Sequence, residues 1–161
     1  MLRQERRVSK MLLETLQKFA ALLSNKQREY FEACLQGAHI VSCKPMAEVL
    51  PEDLLRYVKQ LKIIPKQCYK NATLIAGLDD EIHFVDGKMD LYGLPIDHAW
   101  NEYRGQYFDA TKEIALSESP EGCEYLSMGE FTYHYVMNIC IQREFYGSVL
   151  YETFSTALHK A

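Results

Sequence analysis

The sequence contains no C-x-x-C pair, no glycine-rich phosphate loop and no apolar run near the ~18 residues that span a bilayer. Its five cysteines (Cys34, Cys43, Cys68, Cys123 and Cys140) are odd in number and scattered. That argues against a disulfide framework or a structural zinc knuckle, and for a reducing cytoplasm. Glycine and proline are scarce, at 8 and 5 residues in 161, so nothing resembles a linker and a single domain over 1–161 is expected. Basic charge is also short: 18 Lys+Arg stand against 22 Asp+Glu, a net −4, which speaks against nucleic acid as the main partner. Arg3, Arg6, Arg7 and Lys10 do precede Met11-Leu12-Leu13, but Glu14 and Lys18 interrupt the apolar stretch before it could serve as a signal-peptide core. A mature chain with no secretion signal and no membrane partner is the expectation.

What is present is a globular composition, 48% apolar and 25% charged, with its basic residues concentrated at one end. Residues 1–30 hold seven basic and three acidic side chains, while the remaining 131 hold eleven and nineteen. Val8, Met11, Leu12, Leu16, Phe19, Ala20 and Leu23 repeat at helical spacing, which predicts an amphipathic helix over 5–23. Its stripe should pack on the domain or on a second copy of the chain, as a homodimer. Ser24-Asn25 is a stop and a cap for a second helix near 26–36, with Tyr30, Phe31, Cys34 and Leu35 inward. Residues 37–50 read as irregular. Pro51-Glu52-Asp53 is a good first helical turn, followed by Leu54, Leu55, Val58 and Leu61 on one face. The string CYKNATLIAGL from Cys68 reads as a further helix.

Strands follow. Glu81 to Asp86 alternates and closes at Gly87. Residues 96–103 and 106–109 flank Arg104-Gly105 as a hairpin. Tyr125 to Met128 is a short strand, and Tyr133, Val136, Met137, Cys140 and Ile141 favour a last helix over a strand. The order predicts an α+β fold: a helical extension over 1–50, then a core over 51–161 built on a small antiparallel sheet.

Chemistry gathers around Cys68. A thiol at a helix start faces the positive dipole end and unpaired backbone N–H groups, with Lys66 and Lys70 alongside, an environment that favours thiolate. Cys34 and Cys140 sit inside apolar stripes and read as core. A two- or four-residue loop at Arg104-Gly105 sets Trp100 opposite Asp109 and His98 opposite Thr111. His98 and Asp109 are then diagonal neighbours on one face, about 7–8 Å apart along the backbone. Asp97 points the other way. Thiol, imidazole and carboxylate are the three parts of acyl transfer by cysteine. The same three residue types could ligate a metal, but no second close-spaced Cys or His pair supports that, and no cofactor is implied. His39, His134 and His159 have no metal-ligand spacing, and His83 reads as solvated.

The strings CYKNATLIAGL, D-H-A-W-N-E and Y-F-D-A-T together resemble the transglutaminase-like branch of the papain-like cysteine hydrolases, and most of all its short bacterial and phage members with C-Y-x-N-A, H-A-W and D-P-T. The resemblance covers about residues 66–111. It implies a papain-like core with Cys68 opening a helix as nucleophile, His98 as base on a strand, and Asp109 as orienting acid on the next strand. Trp100 would wall the substrate pocket. Ala110 stands where those proteins usually carry proline. The backbone N–H of Cys68, with a side-chain amide from Gln67 or Asn71, would supply an oxyanion hole. The expected function is a cytoplasmic thiol hydrolase or acyltransferase (protease, deamidase or transglutaminase-type) acting on a protein or peptide amide. The rival is a non-catalytic module of the same fold, binding protein or nucleic acid through its basic N-terminal helix.

Overall fold

Every strand of the sheet carries a residue into one shared interior, and this curvature decides where the functional side chains fall. The computed structural model describes residues 12–159. Helix α1 runs over 12–20 and α2 over Asn25–Gln36, followed by β1 (His39–Val41), α3 (Met46–Val49), α4 (Glu52–Gln60) and α5 (Cys68–Ala76). Then come β2 (Ile82–Leu91), β3 (Leu94–Tyr103), β4 (Gln106–Phe108), a π-helical turn (Thr111–Ala115), β5 (Tyr125–Phe131), α6 (Tyr133–Arg143) and α7 (Leu150–His159). The architecture is mixed helix and sheet, with one antiparallel five-stranded sheet in the order β1-β5-β2-β3-β4. Among the described residues no helix is long and apolar enough to cross a membrane.

The sheet curls until its two edges meet. Cys43, just past β1, forms a parallel bridge to Tyr107 of β4, and the Lys44 N–H donates to the Tyr107 carbonyl at 2.9 Å. Closing the edges in this way pairs backbone groups that would otherwise stay open. Val41, Cys43, Val85, Met89, Trp100 and Tyr125 fill the inside. Outside, α3 to α6 cover one part of the sheet with Met46, Leu54, Val58, Ile75 and Val136 against Ile82, Phe84, Ala99 and Phe108. Helices α1, α2 and α7 cover another, with Leu12, Leu16, Phe31 and Leu150 against Leu126 and Met128. Leu12, Leu16 and Ala20 of the N-terminal stripe are therefore buried within the chain. Val8, Met11 and the basic cluster at 3–10 lie outside the described residues.

Local signals explain most elements. Gln27 Oε1 accepts from both the N–H and the Oγ–H of Ser24, tying down the start of α2. Arg104 (φ 48°) and Gly105 (φ 82°) are both left-handed, the conformation a two-residue hairpin turn needs. That turn pairs Asn101 with Phe108, Glu102 with Tyr107 and Tyr103 with Gln106.

Several expectations are corrected. Residues 37–50 are not irregular: they hold β1, paired to β5, and α3, so the sheet begins before residue 50. The strand from Ile82 does not close at Gly87 but continues to Leu91 and turns at Tyr92-Gly93 into β3. Gly87 lies instead where β5 passes closest; a Cβ there would sit 1.9 Å from the Leu126 carbonyl oxygen. A glycine read as punctuation is in fact a close backbone approach. Phe19, expected inward, is 54% exposed. Helix α7, not anticipated, is anchored through Asp86 of β2, whose Oδ2 accepts from Ser148 Oγ–H and Val149 N–H, each at 2.8 Å.

Candidate active site

The hairpin brings His98 of β3 and Asp109, the residue after β4, together. His98 Nε2 donates to Asp109 Oδ2 at 2.7 Å, and both residues are buried. Asp109 stands just beyond β4 rather than on a strand, at the entry to the π-helical turn, where the expected alternation has ended. Such turns are rare and gather at functional sites. Here it aims the Lys112 N–H at Asp109 Oδ1, 3.1 Å away. Tyr125 donates its hydroxyl to Asp109 Oδ2 at 2.8 Å. Three donors thus converge on one fully buried carboxylate.

Electrostatics follow from that crowding. Burial alone would raise the Asp109 pKa, but the His98 charge and the hydrogen bonds from His98, Tyr125 and the Lys112 amide hold it below the usual carboxylate range. For His98, burial opposes the charged form, yet the carboxylate, its hydrogen bond and the neighbouring Cys68 push the imidazole well above its ordinary range. Cys68 is thus near enough to that imidazole to act on its charge. Because Nε2 is committed to Asp109, Nδ1 is the nitrogen left for the thiol. Asp97 faces away, 69% exposed and paired with Lys88.

Cys68 is the first residue of α5 and half-buried. The chain reaches it through Lys66, a non-glycine residue with φ 63°. Asn71, one turn on, fixes that approach: its Oδ1 accepts from Ile64 N–H (3.2 Å) while its Nδ2 donates to Ile64 O (2.9 Å) and to Thr111 Oγ1 (3.0 Å). One amide therefore clamps the loop before Cys68 to the turn that holds Asp109. This corrects the expected oxyanion role of Asn71, since both of its N–H donors are spent. Gln67 is exposed, makes no side-chain cap, and its carbonyl accepts the Asn71 N–H. The first-turn amides of α5, with Gln67 beside them, are the donors this arrangement offers to a developing oxyanion.

Trp100 is a second correction. At 1% exposure it cannot wall an open pocket; it is interior packing behind His98, 6.1 Å from the imidazole and 5.1 Å from the Tyr125 ring. His83 is not simply solvated either, because its Nδ1 lies 2.6 Å from Glu102 Oε2. Tyr125 is expected only as the start of a strand, not at the site. It lies sixteen positions beyond Asp109, and no local spacing links the two.

Comparison with models of protein families, with curated proteins and with solved structures finds no match to this chain.

Proposed function

We propose that this protein is a thiol hydrolase or acyltransferase with a papain-like, transglutaminase-like core. In this reading Cys68 attacks a protein or peptide amide, His98 moves the proton and Asp109 fixes the imidazole. The observation that carries it is the buried His98–Asp109 hydrogen bond, with the half-buried Cys68 at a helix start near enough to act on the imidazole.

The chemistry runs on this chain's own groups. Cys68 Sγ, deprotonated by His98 Nδ1, adds to the amide carbonyl, whose oxygen turns toward the first-turn amides of α5. Imidazolium then gives its proton to the departing amine, leaving a thioester on Cys68. Water or a second amine, deprotonated by Nδ1, attacks the thioester and releases Cys68. Asp109 supports the imidazolium throughout and keeps the proton on Nε2. A buried ion pair of this kind is poor evidence of stabilisation, because desolvation offsets most of its Coulombic gain. Its cost is better understood as the cost of a poised base. Five unpaired thiols suit a reducing cytoplasm as the place of action.

The test is a screen of glutamine-containing and unmodified peptides for ammonia release, cleavage or amine incorporation, run with Cys68→Ala beside the parent protein. Turnover lost in the variant at an unchanged Tm supports the reading. A variant that melts many degrees lower would make Cys68 a packing residue.

A further inference from the structure

We infer that Tyr125 is a positioning residue of this site: its hydroxyl, sharing Asp109 Oδ2 with His98, fixes the carboxylate and limits how strongly it holds the imidazole proton. The inference rests on the catalytic reading of Cys68, His98 and Asp109.

The geometry is specific. Asp109 Oδ2 takes two donors, His98 Nε2–H at 2.7 Å and Tyr125 O–H at 2.8 Å, while Oδ1 takes the Lys112 N–H. With one oxygen held from the π-helical turn and the other from β5, the carboxylate plane is fixed from both sides. Tyr125 is itself closely packed: it is fully buried, and its ring lies 5.1 Å from Trp100 and 6.2 Å from His98. Burial and the adjacent Asp109 charge push its phenol upward, so it stays a neutral donor.

Two donors on one oxygen compete for its electron density. The Tyr125 bond withdraws charge from the atom that grips His98 Nε2–H, and so weakens that grip. A base must also give its proton back, and an imidazolium held too tightly by Asp109 returns it slowly to the leaving amine. Tyr125 therefore does more than fill space. It moderates a carboxylate that the buried setting would otherwise make too strong a partner.

The test is the proton NMR resonance of His98 Nε2–H in protein labelled with ¹⁵N-histidine, read beside the rate of Cys68 alkylation by iodoacetamide. Tyr125→Phe keeps the ring and removes the donor; the resonance should move downfield as the His98–Asp109 bond tightens. Placing 3-fluorotyrosine at position 125 makes a stronger donor of nearly the same shape, and should move the resonance upfield. If the Phe variant does not fold, the fluorinated protein carries the test. Shifts of opposite sign support the inference, since loss of packing alone would not reverse with donor strength. A resonance unmoved by either change, but abolished by Asp109→Asn, overturns the role of Tyr125 and leaves the triad standing. A Cys68 alkylation rate indifferent to Asp109→Asn overturns the catalytic reading itself, and this inference with it.

Discussion

Replacing Asp109 with asparagine preserves volume and removes a charge from a buried position on which three donors converge. The carboxylate accepts from His98 Nε2–H, Tyr125 O–H and Lys112 N–H. An amide offers one acceptor oxygen and one donor nitrogen, so it cannot serve all three. If its nitrogen takes the Oδ2 place, it opposes two donors, and His98 can meet it only by moving its own proton to Nδ1. The nitrogen facing Cys68 is then blocked as a base. If its nitrogen takes the Oδ1 place, it opposes the Lys112 N–H, and one buried donor is left unpaired at about 1–3 kcal/mol. In either pose the buried imidazole loses its counter-charge, so burial now drives its pKa downward and the imidazolium is lost. A serine triad can lose about 10⁴-fold in rate from this change; a thiol, more acidic to begin with, should lose roughly 10- to 10³-fold. Asp97→Asn is the matched control. It breaks only an exposed pair with Lys88, an interaction worth about 0–1 kcal/mol at most. Both variants are compared by peptide turnover and by Cys68 alkylation rate. Loss of activity in Asp97→Asn, with Asp109→Asn near the parent, would refute the reasoning.

Asp86 gives a pH dependence of stability. Burial raises its carboxyl from 3.8 to about 6 against the Val149 and Ser148 hydrogen bonds, and its Oδ1 has no hydrogen-bond partner among the described residues. The folded state thus binds a proton that the unfolded state has released, and stability from this group falls as pH rises from about 4 to about 6, by up to about 3 kcal/mol. Urea denaturation of Asp86→Asn should therefore show it gaining on the parent protein across that interval; parallel pH curves would refute this. Gly87→Ala should cost at least about 3 kcal/mol, the upper range for overpacking, because its Cβ would meet a backbone carbonyl rather than a flexible side chain. A thermal melt near the parent value would mean β5 can retreat. Cys140→Ala, which empties part of the packing beneath α6, should lower Tm while sparing Cys68 alkylation.

The legible parts were those written in short-range chemistry. Period-two alternation and the Arg104-Gly105 turn are enough to set the β3–β4 register, whereas the final approach of Asp109 to His98 is made beyond β4, at the π-helical turn. The helix starting at Cys68 is visible in its own composition, although residue chemistry and family resemblance, not spacing, are what point from Cys68 to His98. Features joining distant segments were hidden. Three residues of β1 have no strand pattern of their own and exist as a strand because β5 pairs with them. Asn71 reads as a polar residue in a helix until Ile64 and Thr111 are brought to it. Gly87 and Trp100 show the opposite failure, where a plausible local role gave way to the closeness of another strand or to burial. Even the reach of β2 past Gly87 was set by its partners on both sides rather than by its own residues.

The central claim is that His98 activates Cys68, and Cys123 provides an internal control, being the other half-buried free thiol. The decisive measurement is peptide mapping after brief, limited iodoacetamide treatment at about pH 6, where an ordinary thiol is almost wholly protonated. The account predicts label on Cys68 well ahead of Cys123, and loss of that preference in His98→Gln. Equal labelling of the two thiols, unchanged by His98→Gln, would contradict it.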